Sequence, residues 1–329
     1  MIMKKLTLLE TELAIKYIKD LFQNALSKEL NLLRVSAPLI IAPDSGLNDN
    51  LNGWEAPVSF KSKTNGVSSQ VVQSLAKWKR YSIARYEIPL YQGLYTDMNA
   101  IRMDETLDAT HSMYVDQWDW ELRISENDRN VEFLKNTVNK IYKVLKEAQL
   151  KVNEKYGIFE QKDLLPEHIH FVTTQELLDQ YPDKNPSERE QLVCEKYKAV
   201  FVMQVGKKLS NNQVHDGRSP DYDDWSLNGD IMVYNPRSKK ALELSSMGIR
   251  VNKEVLLKQL EESKQNERLE LMFHKKLVNG ELHQTIGGGI GQSRLCYFLL
   301  QKDHIGEVQA SHWSDEIVVE AKAKGIKLL

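Results

Sequence analysis

Cysteine is nearly absent from this chain. Among 329 residues only Cys194 and Cys296 occur, too few for a disulfide framework or a four-cysteine zinc site. An excess of one charge is missing too. The 44 Lys and Arg are balanced by 46 Asp and Glu, a net charge of −2, whereas a dedicated nucleic-acid binder concentrates positive charge. No apolar run approaches the ~20 residues that a membrane span requires. The start, Met1-Ile2-Met3-Lys4-Lys5-Leu6, has no long apolar stretch before Glu10 and Glu12, as a secretory signal would. These absences predict a reduced, cytoplasmic protein with no nucleic acid or membrane as partner, and with both cysteines in the core.

Several site signatures are also lacking. The glycine run Gly287-Gly288-Gly289-Ile290-Gly291 is not followed by the Lys-Ser/Thr of a phosphate-cradling loop. Gln292 stands where the dinucleotide fingerprint needs its third glycine. There is no Gly-x-Ser-x-Gly elbow, and His111, His215 and His274 show no paired metal spacing. P-loop, Rossmann, serine-hydrolase and zinc-enzyme readings therefore carry little weight.

Hydrophobic periodicity supplies the elements. Thr7 and Glu10 have capping-box spacing, and Leu9, Leu13, Tyr17, Ile18, Leu21, Phe22, Ala25 and Leu26 predict a helix to about Leu30. Leu32 to Ile40 reads as a strand whose Pro38 belongs at an edge or a subunit boundary. Asp44 to Gly53 reads as a polar loop that carries Asn48-Asp49-Asn50, and Val71 to Tyr81 as helical. Tyr114 to Leu122 alternates, with Trp118, Trp120 and Leu122 on one face and Gln117, Asp119 and Glu121 on the other, the pattern of a cleft floor backed by tryptophans. A long amphipathic helix runs from Val131 to about Asn153. Ala199 to Val205, Gly229 to Tyr234 and Ala241 to Val251 are predicted strands, with an acidic loop at His215 to Ser226. Helices follow over Lys253 to Asn279, and the glycine run opens a final core helix at Gln292 to Leu300. Length alone suggests about two domains of ~150 residues. However, no linker or repeat divides the chain, so one catalytic domain over 1–329 is expected. Successive strands without strand–helix alternation indicate an α+β fold with a mixed, largely antiparallel sheet flanked by helices.

Several clusters carry possible chemistry beside an ordinary structural reading. Glycines before Arg294 let a flat ligand approach bare backbone, or serve equally as tight packing. Arg102-Met103-Asp104-Glu105 is a phosphate-neutralising arginine or a salt-bridged turn. Asp221, Asp223, Asp224, Asp230 and Glu243 are hard oxygen donors suited to Mg²⁺ arriving with a nucleotide, although acidic loops are usually solvated turns. Glu243 lies within the apolar-flanked Ala241-Leu242-Glu243-Leu244, where a carboxylate needs a partner or a task. Lys77-Trp78-Lys79-Arg80 reads as a solvated helix face with one lysine turned inward.

In this order the pieces resemble the three signature motifs of class II aminoacyl-tRNA synthetase catalytic domains. The first is the Leu33-to-Leu39 strand with Pro38, which builds the dimer interface there; the second is Arg102-x-x-Glu105 and the polar row; the third runs from Gly287 to Leu295. Longer strings narrow the resemblance to the ammonia-dependent asparagine synthetase (aspartate–ammonia ligase) family over essentially the whole chain. They are Ser74 to Arg80, Tyr114 to Glu121, Pro220 to Trp225, Leu227-Asn228-Gly229-Asp230 and Glu243 to Arg250.

The resemblance implies a two-step ligase with ATP and Mg²⁺. Aspartate's side-chain carboxylate attacks the α-phosphorus of ATP, and ammonia then displaces AMP from the β-aspartyl-adenylate. Arg102 matches the arginine that bridges carboxylate and α-phosphate, and Arg294 the third-motif arginine at the nucleotide. Glu105, with the backbone near His111 and Ser112, matches adenine-reading positions, and Met247 falls among the ATP-binding ones. Asp230 and Glu243 match acidic positions near ATP, its ribose or Mg²⁺. Ser74, Lys79 and Gln117 match aspartate-binding positions, and Ser245, Ser246 and Gly289 lie where substrate and nucleotide approach. Asp49, Asp119 and Asp223 match carboxylates around the amino acid's ammonium and the incoming nucleophile. The resemblance also implies a homodimer. One departure stands out: Trp225-Ser226 meets Leu227 directly, where family members usually carry several more residues, which implies either a shorter lid-like loop or a segment missing from this sequence. The rivals are an aspartyl- or asparaginyl-tRNA synthetase, for whose anticodon module a first helix at residue 7 leaves no room, and an inactive synthetase-like binding protein.

Overall fold

Residues 5–51, 54–160 and 164–329 are described by a computed structural model. The four N-terminal residues, and Asn52 and Gly53 at the end of the predicted polar loop, lie outside them.

The capping box at Thr7 forms: Thr7 Oγ1 accepts from the Glu10 amide at 3.2 Å and Glu10 Oε2 from the Thr7 amide at 2.8 Å. It starts α1 (Leu8–Leu30), which Asn31 ends in the left-handed region at φ 54°. Its buried face is Ala14, Ile15, Ile18, Phe22 and Leu26, so Leu9 and Leu13, expected in the stripe, are instead 71% and 55% exposed. The predicted strand over Leu32–Ile40 is two strands, β1 (Leu32–Arg34) and β2 (Ile40–Ile41), in different sheets. Pro38 falls between them, where its missing donor costs no ladder bond.

Next come β3 (Ser59–Lys61) and β4 (Ser68–Val71), which sequence periodicity did not reveal, then α2 (Ala76–Arg85). Val71 is thus strand rather than helix. Then follow β5 (Gly93–Ile101), β6 (Tyr114–Arg123), α3 (Val131–Tyr156), β7 (His170–Thr173), α4 (Thr174–Gln180), α5 (Pro186–Tyr197) and β8 (Ala199–Met203). The chain continues through β9 (Asp223–Asn235), β10 (Lys240–Arg250), α6 (Lys253–Glu262), α7 (Met272–Val278), β11 (Thr285–Gly291), α8 (Gln292–Leu299) and α9 (Asp315–Ala323).

Eight strands form one sheet in the order β1-β5-β6-β11-β10-β9-β8-β7, antiparallel except for the parallel end pairs β1–β5 and β7–β8. The predicted mixed, largely antiparallel α+β architecture is what forms. Strands β2, β4 and β3 make a small second sheet. The core face of the large sheet carries fully buried Trp118 and Trp120 under α1, α3 and α8. Phe22 packs on Trp118 with ring centroids 4.8 Å apart. Cys296 lies in this core, and Cys194 lies in a second cluster under α4 and α5. The opposite face of the central strands is the floor of the site.

The acidic loop is shorter than predicted, because β9 already begins at Asp223. Trp225, Ser226 and Leu227 lie inside that strand, so the shortened segment is continuous β-structure and not a loop. The Trp225 ring fills the place of a side chain at Gly206, whose φ of +94° suits glycine.

Candidate active site

The floor follows from strand parity. On β6, Gln117, Asp119 and Glu121 share the face opposite the tryptophans. Across the ladder, Gly289 pairs with Asp119 and Ser246 with Gly289, so Ser246 lies on the site face. A β-bulge between Glu243 and Ser245 adds one residue at Leu244, which reverses parity and returns Glu243 to the site face. Glu243 on a regular strand would have entered the core with Ser245.

Of the two readings of the glycines, tight packing is the one the contacts explain. A Cβ on Gly287 would collide with the carboxylate of Glu121 and with Arg250, and one on Gly289 with the amide of Gln117. One on Gly288 would lie 2.5 Å from Met247 Cβ. The protein's own side chains fold across β11 on both faces, and only backbone without a Cβ leaves them room.

Above this floor is a cavity of about 470 Å³. Its walls are the Asp49–Trp54 loop as far as it is described, Gln73 and Ser74 before α2, the 102–113 connection between β5 and β6, and residues 216–222 before β9. Five cations line it among the described residues: Lys79, Arg102, Arg218, Arg250 and Arg294. Of the anticipated site residues, Asp49, Ser74, Lys79, Arg102, Glu105, His111, Ser112, Gln117, Asp119, Asp223, Glu243, Ser246, Gly289 and Arg294 all reach this cavity. Ser245, Met247 and Asp230 are not in its lining. Ser245 pairs with core-facing Ile290 and Met247 is core, because both have the parity opposite to Ser246. Asp230 stands behind Arg218, to which it is paired.

The α2 face is not solvated as expected. Lys77, Lys79 and Arg80 are all buried. Lys79 pairs with Asp119 and donates to the Gly288 carbonyl at 2.9 Å. Burial lowers its pKa, with Asp119 opposing. Arg80 donates to the Val251 and His283 carbonyls, and burial brings its pKa down to about 10. Polar side chains here are drawn inward because the buried strand ends and carboxylates behind α2 need donors.

Two residues of the site were missed by sequence reasoning. Arg250 is buried, bonds Glu121 at 2.7 Å through Nη2, and pairs with Asp223. Thr285 adds a bond to Glu121 at 2.6 Å. Burial raises the pKa of Asp223 and Arg250 opposes it. The available signal was a charge ending the apolar run Met247-Gly248-Ile249. Arg218 gave none, being a loop arginine without periodicity; in the fold it pairs with Asp230 and Asp216. Burial pushes the Asp230 carboxyl up to about 7, with Arg218 opposing and Glu243 adding to the rise.

Several polar atoms in or beside the cavity have no partner. They are both carboxylate oxygens of Asp49, Asp119 Oδ2, Arg102 Nε and Asp230 Oδ1. Unpaired buried polar atoms are costly, so their clustering marks where a polar ligand is accommodated. Arg102 otherwise makes only a 3.5 Å contact with the Gln73 carbonyl, while Arg294 lies 3.6 Å from Glu243. A cavity lined by five cations and by unpaired carboxylate oxygens suits an anionic phosphate compound beside a zwitterion or a small cation.

Comparison with known proteins agrees. The sequence model of a family described as aspartate-ammonia ligase matches residues 9–325. An aspartate–ammonia ligase of Malacoplasma penetrans is 57% identical over 327 residues, 99% of this chain and 100% of its own. One from Clostridium tetani is 55% identical over 99% of this chain and 95% of its own. Among solved structures, asparaginyl-tRNA synthetase from Pyrococcus horikoshii, complexed with asparaginyl-adenylate, superposes with a TM-score of 0.64 at 15% identity, covering 91% of this chain and 68% of that one. Aspartyl-tRNA synthetase from Entamoeba histolytica gives 0.59 at 16% identity, over 91% and 58%. The fold is therefore that of class II aminoacyl-tRNA synthetase catalytic domains. The chain belongs to the aspartate–ammonia ligase family, and is an enzyme, a ligase.

Proposed function

We propose that the chain makes asparagine from aspartate, ammonia and ATP through a β-aspartyl-adenylate, with the cavity above β6, β11 and β10 as its reaction chamber. The observation that carries the reading is the meeting of Arg102 and Arg294 with Lys79, Asp119 and Asp49 around one space. In the first step the side-chain carboxylate of aspartate bonds to the α-phosphorus and pyrophosphate leaves. Arg102 neutralises charge where carboxylate and phosphate meet, and Arg294, held at the Glu243 carbonyl at 3.1 Å, secures the nucleotide. Glu105, His111 and Ser112 border the adenine end. Lys79 takes the α-carboxylate, Asp119 and Asp223 the ammonium group, and Ser74, Gln117 and Ser246 fix the orientation, so that reacting groups meet at high effective concentration.

In the second step a nitrogen lone pair attacks the acyl carbon and AMP departs. An attacking nitrogen must be neutral, so the proton of ammonium needs an acceptor. Asp49 is 1% exposed and both its oxygens are unpartnered. Burial raises its pKa, with Lys77 opposing and Asp221 adding, which suits a carboxylate that first binds a cation and then takes its proton.

Asp230 Oδ1, unpartnered, and Glu243 are hard carboxylates on adjacent strands and fit a Mg²⁺ that arrives on the phosphates. When bound, that ion would supply neutralisation of phosphate charge. A homodimer in the cytoplasm, with one catalytic domain per chain, completes the proposal. Exposed Leu9, Leu13, Leu33, Leu39 and Ile40 support the dimer, and no described helix is long and apolar enough to cross a membrane.

The test incubates purified protein with ATP, Mg²⁺ and aspartate, with and without ammonium, and follows AMP and asparagine by mass. The two products appearing together, only with ammonium and without tRNA, support the ligase. Aspartate-dependent pyrophosphate exchange without asparagine would favour a synthetase-like transfer to another acceptor, and no turnover would favour a binding protein.

A further inference from the structure

Behind Asp49, outside the cavity lining, lies a charged cluster that the two steps above do not use. Asp221 is completely buried. Its Oδ2 receives Lys77 Nζ at 2.8 Å, Arg268 Nη1 at 2.7 Å and His274 Nε2 at 2.8 Å, and its Oδ1 receives the Ser219 hydroxyl at 2.8 Å. The donors come from α2, the turn at Asn266–Glu270, α7 and the segment leading to β9. Two permanent cations on one carboxylate leave a surplus positive charge, and both Lys77 and Arg268 act on Asp49. Asp49 is thus a second anion beside the cluster, acted on by its cations and by the Ser219 hydroxyl that also bonds Asp221.

The loop bearing Asp49 also rests on this cluster. Gly46, at φ +69°, packs so closely that a Cβ there would be 2.8 Å from Leu271 Cβ and 3.1 Å from His274 Nδ1. His274 therefore has one ring edge on Asp221 and the other against the turn that leads to Asp49. The Asn48 side chain fixes the far side, accepting from the Gln73 amide at 2.9 Å and donating to the Val71 carbonyl at 3.1 Å. The backbone that carries Asp49 is therefore held on both sides, while its carboxylate oxygens keep no partner within 3.5 Å.

We propose that Lys77, Asp221 and His274 are positioning residues for the amide-forming half of the reaction: they hold Asp49 as an unpaired carboxylate for the cationic nitrogen donor and touch neither aspartate nor nucleotide. This rests on the reading of Asp49 given above. Without Lys77, two buried carboxylates lose their shared cation and Asp49 is driven toward its neutral form, a poor ammonium ligand. Without Asp221, Lys77 is released to pair with Asp49 and fill the vacancy.

The two half-reactions separate this role from a structural one. Aspartate-dependent ATP–pyrophosphate exchange reads the first, and asparagine formation against total ammonium reads the second. Lys77→Met is expected to keep exchange within about two-fold of the parent while raising the KM for ammonium at least ten-fold, and Lys77→Arg to restore most of that loss. His274→Gln, which keeps a donor for Asp221, is expected to raise the same KM by about three-fold with exchange unchanged; it carries the test if Lys77→Met does not accumulate as folded protein. An unchanged KM for ammonium, or exchange and amidation falling in parallel, overturns the proposal. A parent enzyme that exchanges pyrophosphate but makes no asparagine overturns the underlying reading instead.

Discussion

At the residue scale the site is defined by vacancies: side chains buried at a cost and left without partners. Asp49 and Asp230 are two of the three site carboxylates, with Asp223, whose pKa is raised by burial, and they differ in what that rise does. For Asp49 we expect Asp49→Asn to retain aspartate-dependent pyrophosphate exchange while asparagine formation from ammonium falls 10²- to 10⁴-fold, the usual contribution of a positioned base. Equal loss in both assays would move Asp49 to aspartate binding. Asp230 has a native pKa of about 7 against 3.8 for an ordinary aspartate. The native state then binds its proton more tightly than the unfolded chain. The resulting stability is present below pH 3.8 and is lost as pH rises through 7. Denaturation of parent and Asp230→Asn across that window should show the parent's relative stability falling by on the order of 4 kcal/mol toward pH 8. A pH-independent difference would mean that Arg218 keeps Asp230 ionised throughout.

Among the elements, β10 and β11 do most to build the floor. The bulge at Leu244 turns Glu243 out of the core, and the glycines of β11 admit the side chains of β6. Arg250 of β10 ties β6 and β9 together through Glu121 and Asp223, all three of them buried. Removing one partner of such a group strands the others, so Arg250→Met should cost about 3–5 kcal/mol, read as a lowered denaturation midpoint in urea. A loss below about 1 kcal/mol would show that water or Lys79 compensates the two carboxylates. Such networks are seldom replaceable piecemeal, because each charge is tolerable only in the presence of the other two.

For the whole molecule, one group of the uncovered apolar residues lies on α1 and the β1–β2 segment. Leu9, Leu33 and Leu39 are each more than half exposed, and a patch of that kind is expected to be covered by a second copy. Sedimentation should give twice the chain mass of 38.0 kDa. Leu33→Glu combined with Leu39→Glu should return it to the monomer value with the fold retained by circular dichroism. A monomeric parent at micromolar concentration would discard the dimer.

Much of this architecture is legible from local sequence, because period and capping are properties of neighbouring residues. The Thr7–Glu10 box, the two-faced strand from Tyr114, the amphipathic helix from Val131 and the glycine run before Arg294 each form as their patterns require. Small strands such as β3, with all three residues exposed, carry no alternation to read and were invisible. The contents of the cavity were anticipated through long strings that resemble a family, and fourteen of the seventeen residues named for the site do reach it. What the chain alone left undecided was which way side chains point where the backbone departs from regular parity, and which charges share one interior. Glu243 faces the site on account of a bulge, whereas Ser245 and Met247, in regular alternation with Ser246, face the core. Lys77 and Arg80, on a helix that read as solvated, are buried by carboxylates and carbonyls arriving from more than 100 residues away. Period is set by adjacent residues and so is written in the chain; a buried charge is set by its partner, and only the tertiary fold determines who that partner is.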